Sequence, residues 1–260
     1  MIAKGVANLE SVRRALEHGI VVLSRSTTNA YVYEEITGRR LDRAKYSCGV
    51  ITDNGTCISE SVSDRSYRTF VFIDGEATQP ENQEEFSIIM SRMDRGDIFI
   101  KSANTLDPYG AAATLVGDPA GGEVAQLRSV LDKKVELIVP VTVSKTIPYP
   151  IDKVKGVCSI KGVERSMGMP VSLLPLPGIV VTEPEALNRL TGTEAVPICA
   201  LDSEGKGAVT LVIIGPPKQV ENAWRLLSLI KGESPVTVER NPCRICPATT
   251  CTSSGLRKEG

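Results

Sequence analysis

Three loops of this chain carry groups suited to holding an anion, and each belongs to a stretch of apolar run, turn and helical pattern. The first is Ser26, Thr27, Thr28 and Asn29, directly after the apolar run Ile20 to Leu23. Hydroxyls and an amide at a helix start donate to phosphate or carboxylate alongside backbone N–H groups, and the same residue types cap helices. Arg25, just before them, either clamps an anion or lies on the surface. The second loop is Lys101, Ser102, Ala103 and Asn104, after Ile98 to Ile100, with Asp107 close behind. A lysine closing an apolar strand either snorkels to the rim or enters a site. The third is Gly117 to Gly122. There Asp118 and Pro119 read as a cap and a first helical residue. Gly121 and Gly122 each cost a helix about 1 kcal/mol, which a close backbone approach to a ligand would explain. Asp74, Glu76, Asp107 and Glu123 are the carboxylates nearest these loops. The candidate catalytic residues are therefore Asp74, Lys101, Asp107 and Glu123, as proton carriers or charge partners. Histidine catalysis is not expected, because the single histidine, His18, closes a helical stretch before Gly19.

A second constellation lies near the C-terminus. Cys243, Cys246 and Cys251 spell C-x2-C-x4-C. Thiolates at that spacing close on zinc or an iron–sulfur cluster, with a fourth ligand from Cys48, Cys57, Cys158, Cys199, another chain or water. The alternative is a redox-active tail without metal. No nucleotide cofactor is evident.

The elements that must position these groups alternate along the chain. Apolar runs at Ile20 to Leu23, Thr69 to Ile73, Ile98 to Lys101 and Val135 to Val141 alternate with helical stripes near residues 9–17, 30–37, 80–93 and 120–132. Such alternation gives βαβ units with a mostly parallel sheet covered by helices on both faces. Strand ends and helix starts then converge at one edge of the sheet, where open α/β folds bind ligands. Composition agrees: 42% of residues are hydrophobic and only 4% aromatic, so branched aliphatics fill a sheet buried on both faces. Asp53, Asn54 and Gly55 carry the Asn-Gly signal of a tight hairpin.

The pattern changes near Ile147 to Pro150 and restarts at Gly178. From there to Val238 it reads β-α-β-β-α-β, a ferredoxin-like α+β unit. The expected organisation is a Rossmann-like anion-binding domain over 1–150, a ferredoxin-like domain over 151–240 and a cysteine-rich tail over 241–260. The formal net charge of -1 argues against a general nucleic-acid binder. No apolar run reaches the roughly 18 residues of a membrane span. The first residues enter an amphipathic helix without a signal-peptide core, so the expected location is cytoplasmic. There, seven cysteines read as free thiols or metal ligands.

Taken together, the loops resemble the superfamily of ribose-5-phosphate isomerase A, glucosamine-6-phosphate deaminase and the CoA transferases. The resemblance covers about Leu9 to Val141 and rests on short motifs. Ser26, Thr27 and Thr28 match a small-hydroxyl turn after an early strand. Ser102, Ala103 and Asn104 match a G-A-D or G-A-N motif with serine in place of glycine, and Gly117, Gly121 and Gly122 match a Gly-rich anion turn. The isomerase's acidic motif has only Asp74, Gly75 and Glu76 as a counterpart, and the CoA-transferase glutamate has none. The resemblance implies a small phosphorylated or carboxylated ligand and proton- or acyl-transfer chemistry, and a homo-oligomer is compatible with it. The ligand set it marks is Ser26, Thr27, Thr28, Asn29, Ser102, Asn104, Gly117, Gly121 and Gly122. The rival readings are a non-catalytic ligand sensor and a metal- or redox-linked regulatory protein.

Overall fold

A computed structural model of the chain describes residues 1–52, 55–117, 122–158, 160–201, 208–246 and 251. Two helices, α1 (Ile2–Ala7) and α2 (Glu10–His18), lead into β1 (Ile20–Leu23). Ser26 caps α3 (Thr27–Thr37), its Oγ accepting from the Asn29 N–H at 3.0 Å, and Gly38 closes that helix at φ 67°. An antiparallel pair follows, β2 (Gly49–Thr52) and β3 (Gly55–Ile58), in the register Thr52↔Gly55. The expected turn residues Asp53 and Asn54 lie outside the described residues. Next come β4 (Phe70–Ile73), β5 (Glu76–Thr78), α4 (Gln83–Arg92), β6 (Ile98–Ile100), β7 (Thr105–Leu106) and β8 (Ala112–Val116). Then α5 (Gly122–Asp132), β9 (Glu136–Pro140), a 3-10 turn (Val143–Lys145) and α6 (Ile151–Val157). The chain continues through β10 (Ser172–Leu176), β11 (Ile179–Val181), α7 (Glu183–Thr191), β12 (Glu194–Leu201), β13 (Ala208–Ile214) and α8 (Pro217–Ile230).

Among the described residues the main sheet has six strands in the order β11-β9-β6-β1-β4-β5. The first four run parallel, and β4 and β5 close one side antiparallel, so the fold is α/β with a mixed, mostly parallel sheet. Alternation sets its two faces. Val21, Leu23, Ile98, Ile100 and Ile138 pack with Val6 of α1, Val12 of α2, Val32 of α3 and Ala186 of α7. Val22, Phe99, Leu137 and Val139 pack with Phe86, Ile89 and Met90 of α4 and with Leu127 and Val130 of α5. Helices thus cover both faces. At one contact only glycine fits: a Cβ on Gly5 of α1 would lie 2.5 Å from the Ala186 Cβ of α7.

Two expectations about the second half are corrected. The β-α-β-β-α-β order does not close into a ferredoxin-like sheet. Among the described residues its first strand, β11, pairs with β9 in the main sheet, β12 and β13 pair only with each other, and residues 236–238 form no strand. Val181 is fully buried in the main core, whereas a unit of about 60 residues has little core of its own. Nor do the prolines near residue 150 separate two sheets. β10 pairs antiparallel with β8, and β8 with β7, so chain from either side of that stretch builds one small sheet.

Candidate functional site

The four parallel strands β1, β6, β9 and β11 end at one edge. Connections from neighbouring β1 and β6 leave on opposite faces, since α3 packs on the first face and α5 on the second. Such a reversal opens a crevice beyond the carboxyl ends of the two strands. Helix starts gather there as well. Ser26 caps α3 immediately after β1, and Thr182 caps α7 immediately after β11, in a reciprocal capping box with Glu185. The short turn from α5 into β9 places the other end of α5, its N-terminus at Gly122, toward this edge.

Buried polar contacts tie the crevice together. Ser24 N–H donates to the Ile100 carbonyl at 3.1 Å. Asn29 is fully buried, and its Nδ2 donates to the carbonyls of Ser24 at 2.8 Å and Ile100 at 3.1 Å. Among the described residues its Oδ1 has no partner. A buried, unsatisfied amide oxygen is uncommon in native structures and calls for a donor. Lys101 leaves β6 half-buried, and Ser102 beside it is buried. From the turn after β9, Lys145 reaches across to the same loop, its Nζ donating to the Ala103 carbonyl at 2.9 Å. Burial pushes the Lys145 ammonium below the ordinary lysine range, the nearby charge of Lys101 pushes it further, and Glu183 acts in the opposite direction. Glu183 accepts from the Val143 N–H at 3.0 Å. The β12–β13 hairpin packs against the Val143–Lys145 turn and walls this end.

The structure places the expected residues unevenly. Ser26, Thr27, Thr28 and Asn29 open α3 after β1, the strand adjacent to β6, which leads to Lys101 and Ser102. Ser26 is a helix cap and Asn29 a strand stitch, so both also have structural duties. Asn104 is exposed and turned to the small sheet: its Oδ1 accepts from Thr114 Oγ1 at 2.9 Å and from the Leu115 N–H at 3.0 Å. Asp107 is buried and uses both oxygens on backbone. Oδ1 accepts from Tyr109 and Ala111, and Oδ2 from Ile151 at the start of α6. Asp74 lies at the opposite edge, where its N–H donates to the Gly19 carbonyl, because β4 runs antiparallel to β1. Exposed Glu76 follows in β5. Gly117 ends the β8 segment beneath Met169, whose Cε would lie 2.6 Å from an added Cβ. Gly121, with Asp118 and Pro119, falls outside the described residues, as does the side chain of Glu123. Arg25 is neither a free clamp nor a surface group: it donates to the carbonyls of Val62, Lys45, Ser47 and Ser61. Sequence reasoning missed Lys145 and Glu183. The usable signal was their position, since each follows a buried strand as Lys101 does.

The cysteine tail is docked onto the β2–β3 pair. Arg240 bridges Ser59, the Asn241 N–H donates to the Ile58 carbonyl at 2.8 Å, and the Glu60 N–H donates to the Glu239 carbonyl at 3.0 Å. This brings Cys243 and Cys251 near Cys57. Arg240 Nη1 donates to Cys243 Sγ at 3.3 Å. Among the described residues, no three His, Cys, Asp or Glu side chains are grouped so as to hold a metal ion. Burial pushes the Cys57 thiol up; Arg240 and Thr52 draw it down, and Cys251 and Cys243 push it up. Thiolate is the reactive species. Cys57 is therefore expected to react with iodoacetamide several-fold more slowly than exposed Cys199, by peptide mapping of folded protein at about pH 8. Equal rates would show that the tail does not shelter Cys57.

No family model, curated protein or solved structure matches this chain. Among the described residues, no helix is long and apolar enough to cross a membrane.

Proposed function

We propose that the carboxyl edge of the parallel strands binds a small phosphorylated or carboxylated ligand. One observation carries this reading. Lys145 reaches the loop that begins with Lys101, and the buried Asn29, with its unpartnered Oδ1, is tied to the Ile100 carbonyl just before that loop, at the carboxyl ends of three adjacent strands. Helix starts and Lys101 supply positive potential for the anion, and Asn29 Oδ1 supplies an acceptor for a hydroxyl of the same ligand. Glu183 is the carboxylate beside the lysines, and its presence favours an enzyme over a passive sensor, since proton transfer needs such a group. The sugar-phosphate isomerases and acyl-CoA-handling enzymes that the loops resemble work on ligands of this class. A location in the cytoplasm and zinc or iron–sulfur binding at Cys243, Cys246 and Cys251 remain separate proposals, independent of this edge.

Phosphate stabilises many proteins unspecifically, so the test compares variants. At about ten times its dissociation constant, inorganic phosphate contributes roughly 1.4 kcal/mol by linkage, which is about 3–6 °C in a chain of this size. Wild type is expected to gain that much beyond Lys101→Met, measured by thermal unfolding. Equal shifts in the two proteins would overturn the anion site.

A further inference from the structure

We propose that Lys145 is a nucleophilic amine, and that its Nζ forms an imine with the carbonyl carbon of a small phosphorylated aldehyde or ketone held at this edge. The inference rests on the proposed anion site and names its substrate class. Lys145 leaves the turn after β9 and ends on the Ala103 carbonyl of the loop after β6, so its Nζ sits between two carboxyl strand ends. Among the described residues its Nζ hydrogen-bonds only that neutral carbonyl and no carboxylate lies within 4 Å of it, Glu183 acting on it from farther away. The surface lysines Lys4 and Lys155, in contrast, pair with Glu35 and Asp152 at 2.9 Å and 2.7 Å. An ammonium partly withdrawn from water with no carboxylate in contact is costly, and the cost falls when the proton leaves, although Glu183 offsets part of it. The neighbouring charge of Lys101 acts in the same direction. A desolvated lysine beside a second cation is the arrangement that keeps an amine nucleophilic near neutral pH.

The chemistry balances without an external oxidant or reductant. The ammonium first loses a proton to solvent. The Nζ lone pair then adds to the carbonyl carbon as the carbonyl π bond breaks. The carbinolamine oxygen takes up protons and leaves as water, and the C=N bond forms. One carbonyl compound and one amine thus give one imine and one water. Lys101 and the helix starts hold the phosphate, which leaves the carbonyl end of a short ligand free to reach Lys145.

Pyridoxal 5′-phosphate is a phosphorylated aldehyde and serves as the probe. The full chain is mixed with it at about pH 7.5, reduced with borohydride, and mapped by peptide mass spectrometry. The expected result is labelling of Lys145 about tenfold heavier than that of exposed Lys155 and Lys218, suppressed by inorganic phosphate. Lys145→Arg, which keeps the charge but supplies no neutral amine, should lose this label while retaining the wild-type thermal transition. Should that variant unfold, the wild-type label distribution still decides. Labelling spread by exposure, with the phosphate shift intact, overturns the imine and leaves the anion site standing. Absence of both the label and the phosphate shift overturns both.

Discussion

Replacing Phe99 by alanine is expected to destabilise the protein by about 3–5 kcal/mol. Phe99 is the middle residue of β6, is 1% exposed, and faces Met90, Met93, Leu127 and Val130 across the second face of the sheet. Its strand neighbours are Val22 of β1 and Leu137 of β9, both buried. Truncation removes most of the ring's transfer free energy and leaves a cavity that two paired strands cannot collapse into. Phe99→Leu should cost only about 1–1.5 kcal/mol, because it keeps more of the volume. Urea unfolding of the three proteins measures this. A loss under about 1 kcal/mol for Phe99→Ala would mean that β6 is not the centre of the core. The same strand presents Lys101, so Phe99→Ala should also weaken the phosphate-dependent stabilisation.

Asp107→Ala is expected to cost about 2–4 kcal/mol at neutral pH, and the loss should fade in acid. Burial pushes the Asp107 carboxyl up, but the backbone donors of Ile151, Ala111 and Tyr109 together hold it below the usual aspartate range. The folded value is therefore lower than the unfolded one, near 4. A group depressed in this way stabilises the fold above its unfolded pKa, and that stability is lost as pH falls through the folded value. Wild type and variant should differ most at pH 7 and converge only as pH falls below about 4, through the folded value. Chemical denaturation across this pH range is the measurement. A variant as stable as wild type at pH 7 would return Asp107 to the list of catalytic candidates. Phosphate should still stabilise Asp107→Ala, because both carboxylate oxygens face the backbone of the small sheet and α6.

What the sequence determined by itself was local. The runs Ile20 to Leu23 and Ile98 to Ile100 became buried strands because branched aliphatic residues fit a sheet covered on both faces. Ser26 and Gly38 mark the ends of α3 because capping is chemistry within a few residues. The hydroxyl loop after β1 and the lysine loop after β6 were legible for the same reason: each is a strand end followed by polar residues. Tertiary structure decided which strand lies beside which and what each polar group touches. β11 has the local pattern of a ferredoxin-like first strand, yet it pairs with β9 and buries Val181 in the main core. Arg25 and Asp107 read as site residues because charge next to a turn looks alike whether it meets a ligand or a backbone. Their partners lie 2–44 residues away, and only the folded chain assigns them. Lys145 is the converse case, ordinary in sequence and set apart by what surrounds it. Its partial burial, the Ala103 carbonyl and the charge of Lys101 come from two strands that meet only because β9 pairs with β6.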